Sequence, residues 1–319
     1  MGCILVTQTV KRFFDRSALR WIISFGVSLF FLSSVLNATG VDAISPDGKY
    51  AESINGSWTF SGLVNSENGD KYGYFFEMQR QGVEFQTKAA LIDSQTNQLV
   101  FYYEANESIK QTEPLNWRVG KSFLRFNPIN DSWIFGVRKK DKQGFNFKVD
   151  MMKQDKVNAQ ETLVLRPGVK LQALQTSQLN GHIQLADREQ FVTASRAWFG
   201  KLELSGEQKK AHDISTTFCR LSDENGFYSA NLKEKDATSA AVAGWLDPTG
   251  NRVKMSQFVS VKTFDKDQCE VRVGLPKLNI KLLNTLKSDT AHVIAGFARE
   301  NKGAFCFVTE QLFKEQIIV

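Results

Sequence analysis

Apolar side chains recur at every second position through residues 57–104. The clearest examples are two even-numbered sets, Trp58, Phe60, Gly62 and Val64, then Tyr72, Tyr74, Phe76 and Met78. A period of two is typical of β-strands, whose successive side chains point to opposite faces. The polar segments between the runs contain Asn-Gly, Gln-Gly or Asp-Ser pairs and are too short for a helical crossover. The stretch therefore predicts an antiparallel meander.

The second predicted strand carries aromatic residues on both faces. Tyr72, Tyr74 and Phe76 share one face, and Phe75 lies on the other. We therefore expect the sheet to be covered on one side and to line an apolar space on the other.

The same alternation continues along the rest of the chain. One later strand is marked by Phe145, Phe147, Val149 and Met151. Residues 155–178 lose the pattern and contain the Pro167-Gly168 turn, which predicts a linker. Further strands follow from residue 181, with turns every 8 to 15 residues or so and no long helical pattern, as is typical of all-β barrels or sandwiches.

The two runs of strands are similar in length and pattern, which suggests a duplicated barrel. We predict an all-β fold class with two tandem antiparallel barrels after an N-terminal hydrophobic helix. The predicted divisions are residues 1–43 as signal peptide or membrane anchor, 44–165 as the first barrel and 166–319 as the second.

The first 43 residues are typical of an export segment. Four basic residues precede an apolar run, namely Lys11, Arg12, Arg16 and Arg20. The apolar run covers residues 21–36, and Val41 and Ala43 are small residues in a cleavage-like pattern, which favours a removable secretory signal. An uncleaved anchor is the alternative, because uncharged residues 21–41 would span roughly 31 Å as a helix. Both interpretations place the remaining chain outside the cytoplasm, either periplasmic, extracellular or membrane-anchored.

Charge limits the classes of partner. The formal net charge is +6, and the first 43 residues hold four basic and two acidic side chains, which leaves +4 on the rest. Basic and acidic residues interleave, as in residues 233–236, and form no basic stripe with stacking aromatics. We therefore expect no nucleic-acid partner.

Three cysteines follow the export segment, Cys219, Cys269 and Cys306, each within an apolar strand pattern. Buried thiols are the expectation for such positions. One disulfide is the alternative, and the sequence does not specify which pair would form it.

Several short blocks resemble one protein family in their order and spacing. They are Trp58-x-Phe60-x-Gly62-Leu63, Tyr72-Gly73-Tyr74 with Arg80 ending the strand, Ala197-Trp198, and Gly244-x-x-Asp247-Pro248-x-Gly250. Together they cover most of residues 53–310 and resemble the carotenoid 1,2-hydratase (hydroxyneurosporene synthase) family and its AttH-type relatives. The resemblance implies two tandem lipocalin-like (calycin) barrels and an affinity for long apolar molecules.

The chain departs from that family at one motif. The family pattern is roughly Ala-Trp-x-Asp-x-Glu-Trp, whereas Ala197-Trp198 is followed here by Phe-Gly-Lys-Leu, so both acids are missing. Hydration of an isolated double bond needs a protonated carboxylic acid and aromatic faces that support the cation. Glu203 is one step out of phase and is expected to face water beside Lys201, and Asp247 lies in a strong Asp-Pro-Thr-Gly turn signal. Enzymatic activity therefore stays open, and no catalytic residue is assigned.

Other chemistry finds little support in the sequence. His182, His212 and His292 are scattered without metal-ligand spacing. Ser195 lacks the surroundings of a nucleophile elbow, and no glycine-rich phosphate loop is present. We therefore predict no metal and no cofactor.

The candidate ligand-binding residues are mostly aromatic and are Trp58, Phe60, Tyr72, Tyr74, Phe76, Arg80, Arg196 and Trp198. Core packing is the alternative role for each ring. Arg80 shares parity with Tyr74 and is expected at the end of the lining, where it could meet a ligand carboxylate or form a structural ion pair.

These features predict an exported or membrane-tethered protein that binds or carries a hydrophobic small molecule, either a lipid or an isoprenoid. Residues 21–41 would also contact the membrane if they are not removed. Two alternatives remain, a hydratase-like enzyme that adds water to a terpenoid double bond, and a structural envelope or interaction module whose barrels are filled solid.

Overall fold

The computed structural model describes residues 54–110, 113–139, 143–151, 162–186, 188–205, 211–221, 225–234, 237–264, 268–283, 293–297 and 304–313. Every regular element in these ranges is a β-strand, which confirms the all-β prediction. The predicted N-terminal helix, signal or anchor lies outside the described residues. Across the part that is described, we find no helix with the length and apolar character needed to cross a membrane. The described strands belong to one compact unit, Glu52–Val319.

The first barrel is one antiparallel sheet. Its twelve strands are β1 (Asn55–Ser66), β2 (Lys71–Gln81), β3 (Glu84–Asp93), β4 (Leu99–Ser108), β5 (Asn116–Val119), β6 (Ser122–Asn127), β7 (Ser132–Arg138), β8 (Gly144–Met151), β9 (Leu163–Arg166), β10 (Val169–Leu185), β11 (Arg188–Ala194) and β12 (Trp198–Leu204). The order is β4-β3-β2-β1-β11-β10-β8-β7-β6-β5, with β12 paired to β1 and β10, and β9 paired to β10. The meander predicted from residues 57–104 is β1 to β4.

The two ends of this sheet are joined by side chains. The amide of Lys121 donates to the hydroxyl of Tyr103 at 2.7 Å, and the amide of Gly120 donates to Glu107 Oε2 at 2.8 Å. Because β11 and β12 both pair with β1 and with β10, the long hairpins wrap around one interior.

The second barrel comprises a six-stranded and a three-stranded sheet. Its strands are β13 (His212–Arg220), β14 (Gly226–Glu234), β15 (Ala237–Leu246), β16 (Arg252–Ser256), β17 (Val259–Phe264), β18 (Gln268–Val273), β19 (Leu278–Leu283), β20 (Val293–Phe297) and β21 (Phe305–Phe313). The sheet orders are β16-β15-β14-β13-β21-β20 and β17-β18-β19. The last strand, β21, pairs with β13 and so returns to the first strand of this half.

The predicted division between residues 165 and 166 falls within β9, which belongs to the first sheet together with β10. The chain passes to the second sheet between Leu204 and His212. The predicted linker, 155–178, thus contains β9 and most of β10 in its described part. The assignment of the barrels as separate domains stays a prediction.

A disulfide joins two of the three cysteines that follow the export segment. Cys219 on β13 and Cys306 on β21 are direct cross-strand partners and are bonded to each other. Cys269 is a buried free thiol, and desolvation raises its pKa to about 12. The expectation of three buried thiols therefore holds for Cys269 alone.

The second barrel packs against the outer face of β1 and β2. Phe75 stacks on Phe307, with ring centroids 4.8 Å apart and planes 11° from parallel. Because Phe75 points away from Tyr74 and Phe76, β2 is buried on both faces, as its two-sided aromatic pattern predicts.

Candidate functional site

The even-numbered side chains of β1 and β2 point into the first barrel. Trp58 and Phe60 on β1, and Tyr74 and Phe76 on β2, are fully buried there. Phe60 and Phe76 are direct cross-strand partners. The structure thus brings four of the predicted binding residues onto one face, while their role in binding stays a prediction.

Rings from the far side of the barrel occupy the space in front of these residues. Phe60 stacks on Phe135 with a centroid separation of 4.2 Å and lies 5.2 Å from Phe199. Tyr74 meets Phe147 edge to face at 5.1 Å. These are contact separations for aromatic pairs. The predicted lining is therefore a packed aromatic core in this structure.

Five rings of this core were not assigned to the site from the sequence, namely Trp117, Trp133, Phe135, Phe147 and Phe199. They follow the same period of two, which is the signal that could have identified them. The pattern assigns each ring to a strand face, and only barrel closure shows that these faces oppose β1.

Polar atoms of the core rings stay unpaired. The Tyr74 hydroxyl and the indole N–H groups of Trp58 and Trp117 have no hydrogen-bond partner among the described residues. Desolvation raises the pKa of Tyr74 well above its ordinary value. Tyr74 is therefore neutral at physiological pH, and its hydroxyl brings no charge into the interior.

Arg80 lies at one end of this core, where the sequence predicts it. Its Nε donates to the carbonyl of Gly82 at 3.0 Å. The guanidinium carbon lies 5.3 Å from the ring centroid of Phe85 and 5.9 Å from that of Trp117. Arg80 thus covers the rings through cation–π contacts.

A second cation, Lys201, lies at the same side of the barrel. Its Nζ is 5.9 Å from the Trp58 ring centroid and 3.1 Å from Glu203 Oε2. Lys201 is almost completely buried, whereas about a third of the Glu203 side chain, 32%, is exposed. Glu203 therefore lies beside Lys201 as predicted, and Lys201 itself belongs to the interior.

Trp198 does not join the aromatic core. It pairs with Ser61, on the face of β1 that is turned toward the second barrel. Its indole Nε1 donates to the Cys219 carbonyl at 2.8 Å, and its ring lies 5.7 Å from Phe218. The neighbouring Phe199 takes the interior position instead.

The other two predicted binding residues also lie away from Trp58. The Tyr72 hydroxyl is 3.5 Å from Gln190 Nε2, and burial raises its pKa. Arg196, in the turn before β12, donates from Nη1 to Gln175 Oε1 at 3.2 Å. The eight predicted residues therefore do not form a single site.

The contact between the barrels contains a buried carboxyl group that sequence reasoning missed. Glu77 on β2 accepts a hydrogen bond from Gln311 Nε2 at 2.7 Å, and the Ser57 hydroxyl donates to Gln311 Oε1 at 3.0 Å. Desolvation raises the pKa of Glu77, although the positive charge of buried Lys88 opposes this shift. The sequence signal that could have identified Glu77 is an acidic residue within the apolar run KYGYFFEMQR.

Open space lies beside the second barrel, in a groove of about 970 Å³ between β9 and strands β15 to β18. We call it the β9–β15 groove. Its apolar lining residues include Leu163, Leu165, Ala240, Val242, Val259 and Val273, and its polar ones include Thr238, Ser239, Gln257 and Ser260. Arg272 and Lys277 lie at its border.

Three apolar side chains of the groove are turned to solvent. Phe258 is 69% exposed, Val164 is 62% exposed and Met255 is 47% exposed. The backbone of Phe258 is nevertheless fixed, because its amide donates to Ser256 Oγ at 3.2 Å and its carbonyl accepts from Gly274 at 2.8 Å. A held backbone with an exposed ring is typical of a binding surface.

Asp247 has the turn role that its sequence predicts. Its carboxylate accepts hydrogen bonds from the amides of Thr249 and Asn251 at 2.8 and 2.9 Å. Slight desolvation opposes the effect, but these hydrogen bonds hold the pKa of Asp247 below its ordinary value.

No protein-family model and no curated protein matches this sequence. Solved structures do match its fold. An AttH-type protein from Nitrosomonas europaea aligns with a TM-score of 0.57 and 12% identity, covering 81% of this chain and 92% of that one. Kievitone hydratase from Nectria haematococca aligns with a TM-score of 0.57 and 10% identity, covering 82% and 90%. The chain therefore has the lipocalin-like fold of the AttH and hydratase proteins.

Proposed function

We propose that this protein binds an elongated hydrophobic molecule, a lipid or an isoprenoid, and that the β9–β15 groove is the binding site. The observation that carries the proposal is the exposed Phe258 ring, whose backbone is held by hydrogen bonds and which lines the groove together with other apolar side chains. The aromatic interior of the first barrel supports the proposal less well, because its own rings occupy it.

The size of the groove suits a chain of about a dozen carbons. Each buried methylene contributes about 0.8 kcal/mol, so such a chain would supply roughly 10 kcal/mol before ordering costs. Lys277 is exposed at the border of the groove. A carboxylate or another anionic head group could remain in water beside this ammonium while the tail covers Phe258 and Met255.

A fluorescent-lipid titration tests this assignment. A fluorescent C12 fatty acid should bind the wild-type protein saturably, and the double variant Phe258→Ser/Met255→Ser should bind it about tenfold or more weakly. Ile129→Ser is the matched control, because Ile129 is 94% exposed and lies outside the groove. Equal affinity in all three proteins would exclude the groove as the site. Absence of saturable uptake by the wild type would favour a structural module.

Glu77 favours hydration of a carbon–carbon double bond as a second candidate function. The carboxyl group is buried, desolvation raises its pKa in favour of the protonated form, and the Phe75–Phe307 stack lies on the same side of β2. These are features that proton delivery to an alkene needs. Incubation with an acyclic carotenoid should then give a product heavier by one water, lost in Glu77→Gln. Unchanged turnover in that variant would exclude Glu77 as the proton donor.

We also propose that residues 1–43 direct export. Intact-mass measurement after expression in a secreting host should show loss of this segment, or its retention in a membrane-bound protein if residues 21–41 act as an anchor. A full-length protein recovered entirely in the cytoplasm would contradict both forms of the proposal.

A further inference from the structure

The outer face of β5 to β8 carries three arginines around one concavity. Arg118 on β5, Arg125 on β6 and Arg138 on β7 are exposed and line a depression of about 740 Å³. Among the described residues, no hydrogen bond or ion pair engages any of their guanidinium groups. We call this depression the arginine pocket.

The strand register explains why these three side chains converge. Arg118 is the cross-strand partner of Phe123, and Arg125 lies two residues beyond Phe123 on the same face of β6. The guanidinium carbon of Arg138 lies 5.9 Å from the Phe123 ring centroid. All three arginines therefore lie on the strand face that carries the partly buried Phe123 ring.

A glycine on β7 lies between two residues that line the pocket. Gly136 is the cross-strand partner of both Phe123 and Asn146. A Cβ atom at Gly136 would lie 2.1 Å from the carbonyl oxygen of Phe145, so the backbone cannot accept a side chain there. Gly136 therefore adds no side-chain atoms between Phe123 and Asn146.

Acidic side chains do not neutralise the pocket. Lys148 lies on the same face but is paired with Asp150 at 2.6 Å. Glu113, the acidic residue of the lining, accepts a hydrogen bond from Asn116 Nδ2 at the rim. Three guanidinium groups therefore share the depression with one carboxylate.

We propose that the arginine pocket binds a phosphate monoester carried on a compact apolar group. The planar guanidinium fork matches phosphate oxygens and makes paired charge-assisted hydrogen bonds. Phe123 and Ile134 provide an apolar surface beside those cations for the attached group. Such a ligand has two sources, a soluble phosphorylated metabolite or the head group of phosphatidic acid in a membrane.

Two binding measurements separate these sources. The soluble probe is 1-naphthyl phosphate, followed by its fluorescence in 150 mM salt, with neutral 1-naphthol as the probe control. The membrane probe is phosphatidylcholine vesicles with or without phosphatidic acid. The test variant is Arg118→Gln/Arg125→Gln/Arg138→Gln. The control variant, Lys71→Gln/Arg188→Gln/Lys254→Gln, removes three exposed positive charges elsewhere.

The expected result is saturable one-site binding of the naphthyl phosphate or selective binding of phosphatidic acid vesicles. Either should weaken about tenfold or more in the test variant and less than about twofold in the control. Thermal unfolding of both variants should resemble that of the wild type, since the replaced side chains are exposed. Binding of neither probe, or equal losses in the two variants, would overturn the proposal.

Discussion

The interior of the first barrel and the β9–β15 groove both contain many apolar residues, but they differ in how closely the aromatic rings are packed. Inside the barrel, Phe60 and Phe135 stack with ring centroids 4.2 Å apart. In the groove, the Phe258 ring is 69% exposed although its backbone is fixed by hydrogen bonds. Rings that pack against one another stabilise the fold, whereas an exposed ring on a fixed backbone is typical of a binding surface.

The largest expected effect concerns the packed interior. Phe60→Ala should lower the free energy of unfolding by about 3–5 kcal/mol, because it leaves a cavity among rings that cannot collapse into it. Urea denaturation measures this change. Phe191→Ala is the control, since Phe191 is partly exposed and should cost much less. Similar losses in both variants would mean that the interior is not a close-packed core.

A smaller effect distinguishes the contact between the barrels from the interior. Trp198→Phe removes the donor to the Cys219 carbonyl and leaves that buried acceptor without this bond. The substitution should lower the free energy of unfolding, measured by urea denaturation, by about 1–3 kcal/mol. Trp58→Phe is the matched control, because the Trp58 indole N–H has no partner among the described residues to lose. A greater loss of unfolding free energy in Trp58→Phe than in Trp198→Phe would contradict this account of Trp198.

At low pH, Glu77→Gln should change the free energy of unfolding least of these variants. Its difference from the wild type should grow as the pH rises. Burial raises the folded-state pKa of Glu77 above its unfolded value. The stability that its protonated form contributes is therefore fully present below the unfolded pKa and is lost as the pH rises through the folded pKa. Urea denaturation at a series of pH values from 4 upward should show no such decrease in the free energy of unfolding of Glu77→Gln. Glu67→Gln, in an exposed turn, should retain the wild-type pH profile.

The sequence predicts the strands and their faces well, because side-chain alternation is a local property. Trp58, Phe60, Tyr74 and Phe76 lie on one face for this reason. Alternation does not decide which of two adjacent aromatic residues faces inward. The sequence predicts Trp198 as a binding residue, whereas the register of β1 with β12 gives the interior position to Phe199.

The groove and the disulfide depend on contacts between distant parts of the chain. Phe258 lines the groove together with residues of β9, a strand of the other barrel's sheet. Cys219 and Cys306 become neighbours because β21 returns to β13, a sequence separation of 87 residues. No local pattern specifies such closures, so these features could not be predicted from the sequence.

The most direct test of the groove is photo-crosslinking with a diazirine-bearing C12 fatty acid, followed by peptide mass spectrometry. The account predicts saturable adducts on the peptides that contain Val164, Met255 and Phe258, and competition by unlabelled fatty acid. Saturable adducts on the peptides of Trp133, Phe135 and Phe147 instead would show that the ligand enters the aromatic interior and would contradict the account.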